Sequence, residues 1–325
     1  MDVKLIAKNA GLSCWDYIKR NGGILIGLVL MCVIISIVSP IFLTQRNIFN
    51  VLRQISTNFF LATGMTLIII SGNIDLSVGS VIAVIGIVAG TLAESSMPIA
   101  LVVFLSLLLG VLFGAFNGFI VSHSNLVAFI VTLSTQSILR GAAYIVTGGT
   151  TVRINNQAFI KLGTSYLFGI PLPVIYMIIV LIVAFFILNR TATGRYIYAL
   201  GGNRKAAEFS GVKIKRIQMF VFMFSGLMAA MAGIVTAARS YSGNPTAGNG
   251  AEMDAIAACV LGGVSMSGGI GTIGGTVIGT LLIGILSNGL NLMGVDSFWQ
   301  TSLKGVIILV AVYIDYFKSL KKSKN

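Results

Sequence analysis

Charged residues are scarce in this sequence. Asp, Glu, Lys and Arg make up only 10% of the 325 residues, whereas they make up about a quarter of a typical soluble domain. Hydrophobic residues account for 56%, 38 glycines come in addition, and the mean hydropathy is +0.96. A soluble protein of this size could not bury so much apolar surface, so we predict a chain that has lipid as its solvent.

Histidine and cysteine are also rare, which excludes most catalytic and metal sites. His123 is the single histidine, and we expect it at the membrane interface rather than as a general base. Cys14, Cys32 and Cys259 are too scattered for a disulfide framework or a zinc site. No G-x-x-x-x-G-K-[ST] loop occurs, so the chain does not hydrolyse ATP by that route. We expect no catalytic residue, metal or cofactor here, which leaves a transporter powered elsewhere, a channel or a structural membrane protein.

Long apolar runs predict an all-α membrane protein, with residues 1–325 forming a single polytopic domain. At roughly 20 residues per span, the chain holds about ten transmembrane helices. The eighth run is short and begins with Glu252 and Asp254. It either crosses the membrane or is a re-entrant segment that protein shields from lipid. The predicted helices are 22–42, 48–70, 76–92, 98–122, 126–146, 171–188, 217–238, 252–263, 272–293 and 298–317.

The positions of the basic residues predict the orientation. The net charge of +13 comes largely from clusters at 1–21, 190–216 and 318–325. Basic clusters beside membrane spans mark the cytoplasmic side, so we predict a cytoplasmic N-terminal segment, loop and tail, and no nucleic-acid partner. Six spans before the 190–216 loop and four after it satisfy this condition.

Two stretches of four spans have opposite predicted orientations. Residues 48–146 start outside and residues 217–317 start inside, and each has an early acidic residue in an apolar context. This arrangement predicts an inverted repeat, which is common in alternating-access transporters. Gly110, Gly114 and Gly118 recur every four residues, so we expect them to allow close helix packing.

Polar residues within the apolar segments are candidates for a translocation pathway or gate, because such groups are costly in a membrane unless they are paired or solvated. Asp75 is either a cap for the following helix or a gate where a helix is broken, and both roles can hold together. The buried amides either join helices or recognise hydroxyl groups. The candidate residues are Asn73, Asp75, Ser77, Asn117, Asp254, Asn288 and Asn291.

The 190–216 loop contains a predicted short helix. Ala206 to Glu208 favour helix and Gly211 is a natural stop. Phe209 offers an apolar side chain for docking into a groove of a partner, although a solvated loop is the alternative. The candidate coupling residues are Gly202, Asn203, Ala206, Ala207, Phe209 and Gly211.

Several long segments resemble the signature segments of ribose-type ABC transporter permeases, and the resemblance extends through almost the whole chain. They are GNIDLSVGS at 72–80, GRY and ALGGN within 194–203, NPTAG at 244–248, DAIA and LGG within 254–263, and NGLN at 288–291.

The resemblance implies the membrane subunit of a bacterial inner-membrane importer for a monosaccharide, most simply ribose, that works by alternating access. It implies a homodimer, a periplasmic sugar-binding protein, and an ATPase subunit with tandem cassettes that uses ATP and Mg²⁺. Many importers carry E-A-A-x-x-x-G where the ATPase docks. Here Lys205 replaces the acidic residue, so the position carries over but its salt bridge does not.

Other substrates and another class stay open at this point. The same machinery would serve allose, xylose, galactose or a quorum-signal sugar. A secondary transporter or a channel that works alone would also lack a phosphate-binding loop, but the cytoplasmic coupling segment favours an ATPase partner.

Overall fold

The computed structural model describes the backbone of residues 14–124 and 126–323, and the side chains within 25–124, 126–310 and 312–313. Helices dominate this part of the chain, and the four strands have only two residues each. The helices are α1 Cys14–Val38, α2 Gln45–Ile70, α3 Val78–Ala93, α4 Ile99–His123, α5 Ala128–Thr147, α6 Gln157–Thr164, α7 Leu172–Arg190, α8 Ala192–Gly202, α9 Arg204–Phe209, α10 Ile214–Ser240, α11 Ala251–Leu261, α12 Ile273–Leu292 and α13 Ser297–Ser323. The strands are β1 Val152–Arg153, β2 Tyr166–Leu167, β3 Ile170–Pro171 and β4 Ser242–Gly243.

The prediction of an all-α, multi-pass membrane protein is confirmed. Each predicted apolar run lies on one of the helices α1–α5, α7 and α10–α13. Among the described residues, α4, α5, α7, α10 and α12 are long and apolar enough to cross a membrane. Shorter apolar helical stretches lie in α1, α3 and α13. Of the predicted N-terminal segment 1–21, residues 1–13 lie outside the described residues and residues 14–21 belong to α1. Of the predicted tail 318–325, residues 318–323 belong to α13 and residues 324–325 lie outside the described residues.

Helix α11 is too short to cross a bilayer alone. It has 11 residues, which extend roughly 16 Å at ~1.5 Å per residue, against a hydrocarbon core of ~30 Å. The preceding residues 241–250 cover part of the remaining depth, because they run beside α3. Gly243 packs against Ile87, and Gly248 packs against Gly79 and Ile82. Of the two arrangements expected for the eighth run, this length favours the one in which protein shields a short helix.

Glycines on α4 let it pack closely on the central helix α10. A Cβ atom at Gly114 would overlap the carbonyl of Phe222, and one at Gly110 would overlap Gly226 and Ala230. Such close approach supplies the dispersion contacts that hold helices together in lipid, where burying leucine against leucine gains little. The packing role predicted for these glycines is confirmed.

The helix pairs follow a pattern that an internal repeat would produce. In the two predicted repeats, α2, α3, α4 and α5 correspond to α10, α11, α12 and α13. The contact of α2 with α12 then corresponds to that of α10 with α4, and the contact of α3 with α5 to that of α11 with α13. The contact of α3 with α10 corresponds to that of α11 with α2. Exchanging the two predicted repeats converts each pair into its counterpart. Both long pairs are antiparallel: Asn47 and Thr66 of α2 contact Asn288 and Thr276 of α12.

The bundle has two ends, which α10 connects. One end carries α8 and α9, which directly precede the first residue of α10. The other end carries α6 and the strands, where β1 pairs with β4 beyond the last residue of α10. The short antiparallel pair of β2 and β3 leads into α7 at this second end.

Candidate functional site

A break between α2 and α3 brings polar groups into the middle of the bundle. Gly72, whose φ is +80°, ends α2, and its N–H and that of Asn73 donate to the carbonyls of Ile69 and Ile68. This is the Schellman arrangement, which favours glycine because the left-handed backbone conformation strains other residues. Residues 73–77 then continue without helical structure to the start of α3 at Val78.

The Asp75 carboxylate is buried in this break. Its side chain is 1% exposed. Atom Oδ1 accepts hydrogen bonds from the Ser77 N–H at 3.0 Å and the Ser77 hydroxyl at 2.6 Å. Atom Oδ2 accepts one from the Ser225 hydroxyl at 2.8 Å, and Ser225 lies near the middle of α10. Within the described residues no cation forms a salt bridge with this carboxylate, so hydroxyl and amide donors stabilise it.

The donors that reach Asp75 form a directed network. Thr135 of α5 donates to the Asn117 carbonyl oxygen at 2.6 Å, and the Asn117 amide donates to the Ser77 hydroxyl oxygen at 2.9 Å. Ser77 in turn donates to Asp75. Every bond points toward the charge, which stabilises the carboxylate because successive hydrogen bonds polarise one another. The network joins the break to α4, α5 and α10. We call the five residues Asp75, Ser77, Asn117, Thr135 and Ser225 the Asp75 network.

Helix α5 also supports the unwound segments on both sides of the bundle. The Thr132 hydroxyl accepts from the Leu76 N–H at 3.1 Å and lies 3.3 Å from the Ile74 carbonyl. Two turns further along α5, Arg140 donates to the carbonyls of Pro245 and Ala247. These contacts are needed because backbone groups at membrane depth must find partners within the protein.

Between these two contacts, Gln136 of α5 binds the buried side chain of Glu252. The Gln136 amide donates to Glu252 Oε1 at 3.0 Å. Glu252 Oε2 and Arg140 Nη2 are buried and have no hydrogen-bond partner. Gln136 and Arg140 were not among the predicted functional residues, although their spacing of four residues places both on one face of α5.

The other four pathway candidates lie apart from the Asp75 network. Asn73 donates to the Ser71 hydroxyl within its own turn. Asp254 forms a salt bridge of 2.8 Å with Lys304. Asn288 pairs with Asn47 through two amide hydrogen bonds of 2.9 and 3.0 Å, and Asn291 is exposed and accepts from Gln300.

The predicted coupling helix is present as α9. Asn203 caps it by accepting from the Ala206 N–H at 3.0 Å. Gly211, with a φ of +80°, ends it, and the N–H of Val212 donates to the Ala207 carbonyl. Phe209 is 92% exposed, as a docking residue must be.

Ala207 requires a correction to the expected coupling surface. Its side chain is 4% exposed and belongs to the apolar core of the chain itself. Because α9 is only six residues long, no periodic pattern revealed which face is buried. The side chain that α9 exposes is therefore that of Phe209 and not that of Ala207.

Glycines connect the coupling segment to the end of α2 and to the turn between α11 and α12. A Cβ atom at Gly201 would overlap the Ile70 carbonyl at the end of α2, and the N–H of Gly269 donates to that same carbonyl at 2.8 Å. Gly268 packs against Gly201 and Gly72. Helix α8 is therefore in direct contact with the end of α2 and with the turn between α11 and α12. We call Gly72, Gly201, Gly268 and Gly269 the glycine junction.

In the described part of the chain, no three His, Cys, Asp or Glu side chains form a group that could hold a metal ion.

Comparison with known proteins shows similarity to sugar permeases. A family model described as the branched-chain amino acid transport system / permease component matches residues 47–312. The ribose import permease protein RbsC of Haemophilus influenzae is 44% identical over 301 residues, which are 91% of this chain and 93% of that protein. The Bacillus subtilis protein of the same name is 42% identical, over 94% of this chain and 95% of that protein. The xylose transport system permease protein XylH of Escherichia coli is 36% identical, over 84% and 86%. No solved structure matches significantly.

Proposed function

Because the chain belongs to the family of branched-chain amino acid transport system permease components, we propose that it is the membrane subunit of an ATP-driven importer for ribose. The observation that carries this proposal is the identity of 42–45% to ribose import permeases over at least 90% of the chain. The bundle and the buried polar groups described above are consistent with a path for a hydroxylated solute. The chain is a multi-pass protein of the bacterial inner membrane.

The broken helices supply a mechanism for alternating access. Rigid helices such as α4 and α10 form the frame, and the segments 71–77 and 241–250 have few regular backbone hydrogen bonds of their own. Side chains of α5 hold both segments, so rearranging those side-chain contacts opens or closes the path. The substrate undergoes no covalent change, and the chain supplies no catalytic residue.

Energy comes from a partner ATPase that docks at α8 and α9. In contacts between a helix and a groove, a few apolar anchors carry most of the binding energy, and Phe209 is such an anchor. Movement of α8 then reaches the end of α2 and the turn between α11 and α12 through the glycine junction. The ATPase carries tandem cassettes and binds ATP and Mg²⁺, which this chain does not bind.

Two further partners complete the importer. A second copy of the permease forms a homodimer with the first, and a periplasmic sugar-binding protein delivers the sugar and supplies most of the selectivity. The basic clusters support a cytoplasmic location for both termini and for the 190–216 loop. A reporter that is active only outside the membrane, fused to Asn325, should therefore give no signal, and a strong signal would contradict this orientation.

Uptake measurements test the substrate and the energy source. In a strain that lacks its own ribose permease, the chain with its cognate ATPase and binding protein should restore ribose uptake. Uptake should stop when ATP is depleted and continue when an ionophore removes the ion gradients. The opposite result would favour a secondary transporter. Restored uptake of xylose without ribose would favour the second candidate, which the 36% identity to a xylose permease supports.

A further inference from the structure

One hydrogen-bond acceptor and one hydrogen-bond donor, on Glu252 and Arg140, are buried inside the bundle without a partner. Glu252 is 6% exposed, and its Oε2 accepts no hydrogen bond. Arg140 uses Nη1 for the carbonyls of Pro245 and Ala247, while its Nη2 is buried and donates to nothing. Buried polar groups in native proteins are nearly always paired, so an unpaired acceptor and an unpaired donor together call for an explanation.

Two side chains of α5 contact Glu252 and the residues just before it. Gln136 and Arg140 are one turn apart on α5; Gln136 binds Glu252, and Arg140 binds the segment that leads to Glu252. Gln136 also lies near the middle of α5. The side chains of Glu252 and Arg140 therefore lie beside the same unwound residues 245–250, at about half the depth of the bundle.

The surroundings allow a ligand to enter after a small movement. The Glu252 carboxylate lies against Gly79, which has no side chain in the way. Gly248 and Gly250 have φ values of +73° and +76°, typical of a chain that changes direction there. Next to Glu252, the polar residue Asn249 is exposed in the single chain. An exposed amide at membrane depth suits a water-filled path better than lipid.

A sugar has hydroxyl groups that can form hydrogen bonds with both unpaired atoms. A carboxylate oxygen accepts a hydrogen bond from one hydroxyl group, and a guanidinium N–H donates to the oxygen of a neighbouring one. A pair of adjacent hydroxyl groups satisfies both at once, whereas a lone cation or anion would satisfy only one and repel the other.

We propose that Glu252 and Arg140 form a subsite that binds adjacent hydroxyl groups of the sugar during its passage through the membrane. This inference rests on the proposed function and extends it, because it names the permease residues that contact the substrate. The subsite is closed in the present structure, and it opens when residues 248–250 move away from α3.

Sugar analogues combined with variants test this subsite. The assay is import by the complete complex in proteoliposomes, with saturating loaded binding protein, for ribose and for its 2-deoxy, 3-deoxy and 5-deoxy analogues. Each rate is divided by the ribose rate of the same variant, which cancels effects on folding, and the ratio is compared with that of the wild type, which cancels effects on delivery. Glu252→Gln keeps the shape of the side chain and its contact with Gln136, but removes the charge.

The subsite predicts a selective loss. Glu252→Gln should lower ribose import by about tenfold, which is the weight of one hydrogen bond to a charged group. It should leave import of one deoxy analogue nearly unchanged, because that analogue lacks the hydroxyl concerned. Asp254→Asn, a carboxylate change two residues away on the same helix, should affect all sugars equally.

Other outcomes would overturn the subsite. Equal loss for all four sugars would indicate a structural role, and unchanged import would indicate no role. If Glu252→Gln does not fold, Arg140→Lys provides the same comparison, because lysine keeps the positive charge but loses the second N–H group of the fork. A wild-type complex that imports none of these sugars would contradict the proposed function itself, which distinguishes the two failures.

Discussion

Replacing Asp75 by asparagine tests the gate while preserving most of its contacts. The asparagine Oδ1 can accept both hydrogen bonds that Ser77 donates. In the wild type the Ser225 hydroxyl donates to Asp75. In the variant this bond reverses, because the asparagine amide must donate to the Ser225 hydroxyl oxygen. Each bond becomes neutral and loses about 1 kcal/mol, but the buried charge is also removed, which offsets the loss. We expect a net destabilisation of about 1–2 kcal/mol, so the protein should still fold.

Transport should suffer more than stability. The bond between Ser225 and Asp75 fastens the break to the middle of α10, so weakening it changes the ratio of closed to open states. A change of about 1.4 kcal/mol shifts such a ratio tenfold, and we expect ribose import to fall by about that factor. The assay compares initial rates of uptake at equal amounts of membrane-inserted protein, with the thermal midpoint in detergent measured alongside.

Two companion variants make the test specific. Asp75→Ala leaves the hydroxyl groups of Ser77 and Ser225 buried without an acceptor, which costs about 2–6 kcal/mol, so this variant should insert poorly. Combining Asp75→Asn with Ser225→Ala should reduce transport by less than the product of the two single effects, since both change the same bond. Normal uptake by Asp75→Asn at normal protein levels would refute the reasoning and leave Asp75 as a structural cap.

Three other regions give predictions that are simpler to test. Phe209→Ala should leave the thermal midpoint unchanged and abolish co-purification with the ATPase, whereas Ala207→Arg should lower the midpoint because its site is buried; the reverse pattern would contradict the docking surface. Gly201→Ala should insert normally yet uncouple ATP turnover from import, because its Cβ atom would overlap the last carbonyl of α2; coupled import at the wild-type rate would exclude the glycine junction as a connection. Glu94 accepts hydrogen bonds from the backbone amides of residues 155–156, which lowers its pKa below the usual value of 4.5. The stability this contributes is full above that value and disappears as the pH falls through the lowered pKa, so wild type should exceed Glu94→Gln in thermal midpoint at neutral pH and lose the advantage on acidification.

The helices could be predicted from the sequence because lipid imposes a simple rule on composition. Each apolar run became a helix, and local signals such as Gly72 and Gly211 marked where helices end. Asp75, Ser77 and Asn117 were predicted as pathway candidates, and the structure brings these three together. Their proximity follows from the break, which polar residues and glycine mark in an otherwise apolar run.

The contacts made by α5 could not be predicted in this way. Arg140 binds carbonyls more than 100 positions away in the sequence, and hydrophobic periodicity carries no information about such pairs. The pairing of Asn288 with Asn47 spans 241 positions, so an amide that joins two helices looked the same as one that faces a path. The course of residues 241–250 beside α3 was missed for a related reason, since an irregular segment with glycines is typical of an exposed loop.

Import by the purified complex tests the central claim most directly. Proteoliposomes would contain the permease and its ATPase, with ATP enclosed on the ATPase side and ribose-loaded binding protein on the other. We predict that ribose accumulates against its gradient, and that omitting ATP, the ATPase or the binding protein stops accumulation. Accumulation that persists without ATP, and that an ionophore abolishes, would contradict the assignment of this chain as the membrane subunit of an ATP-driven ribose importer.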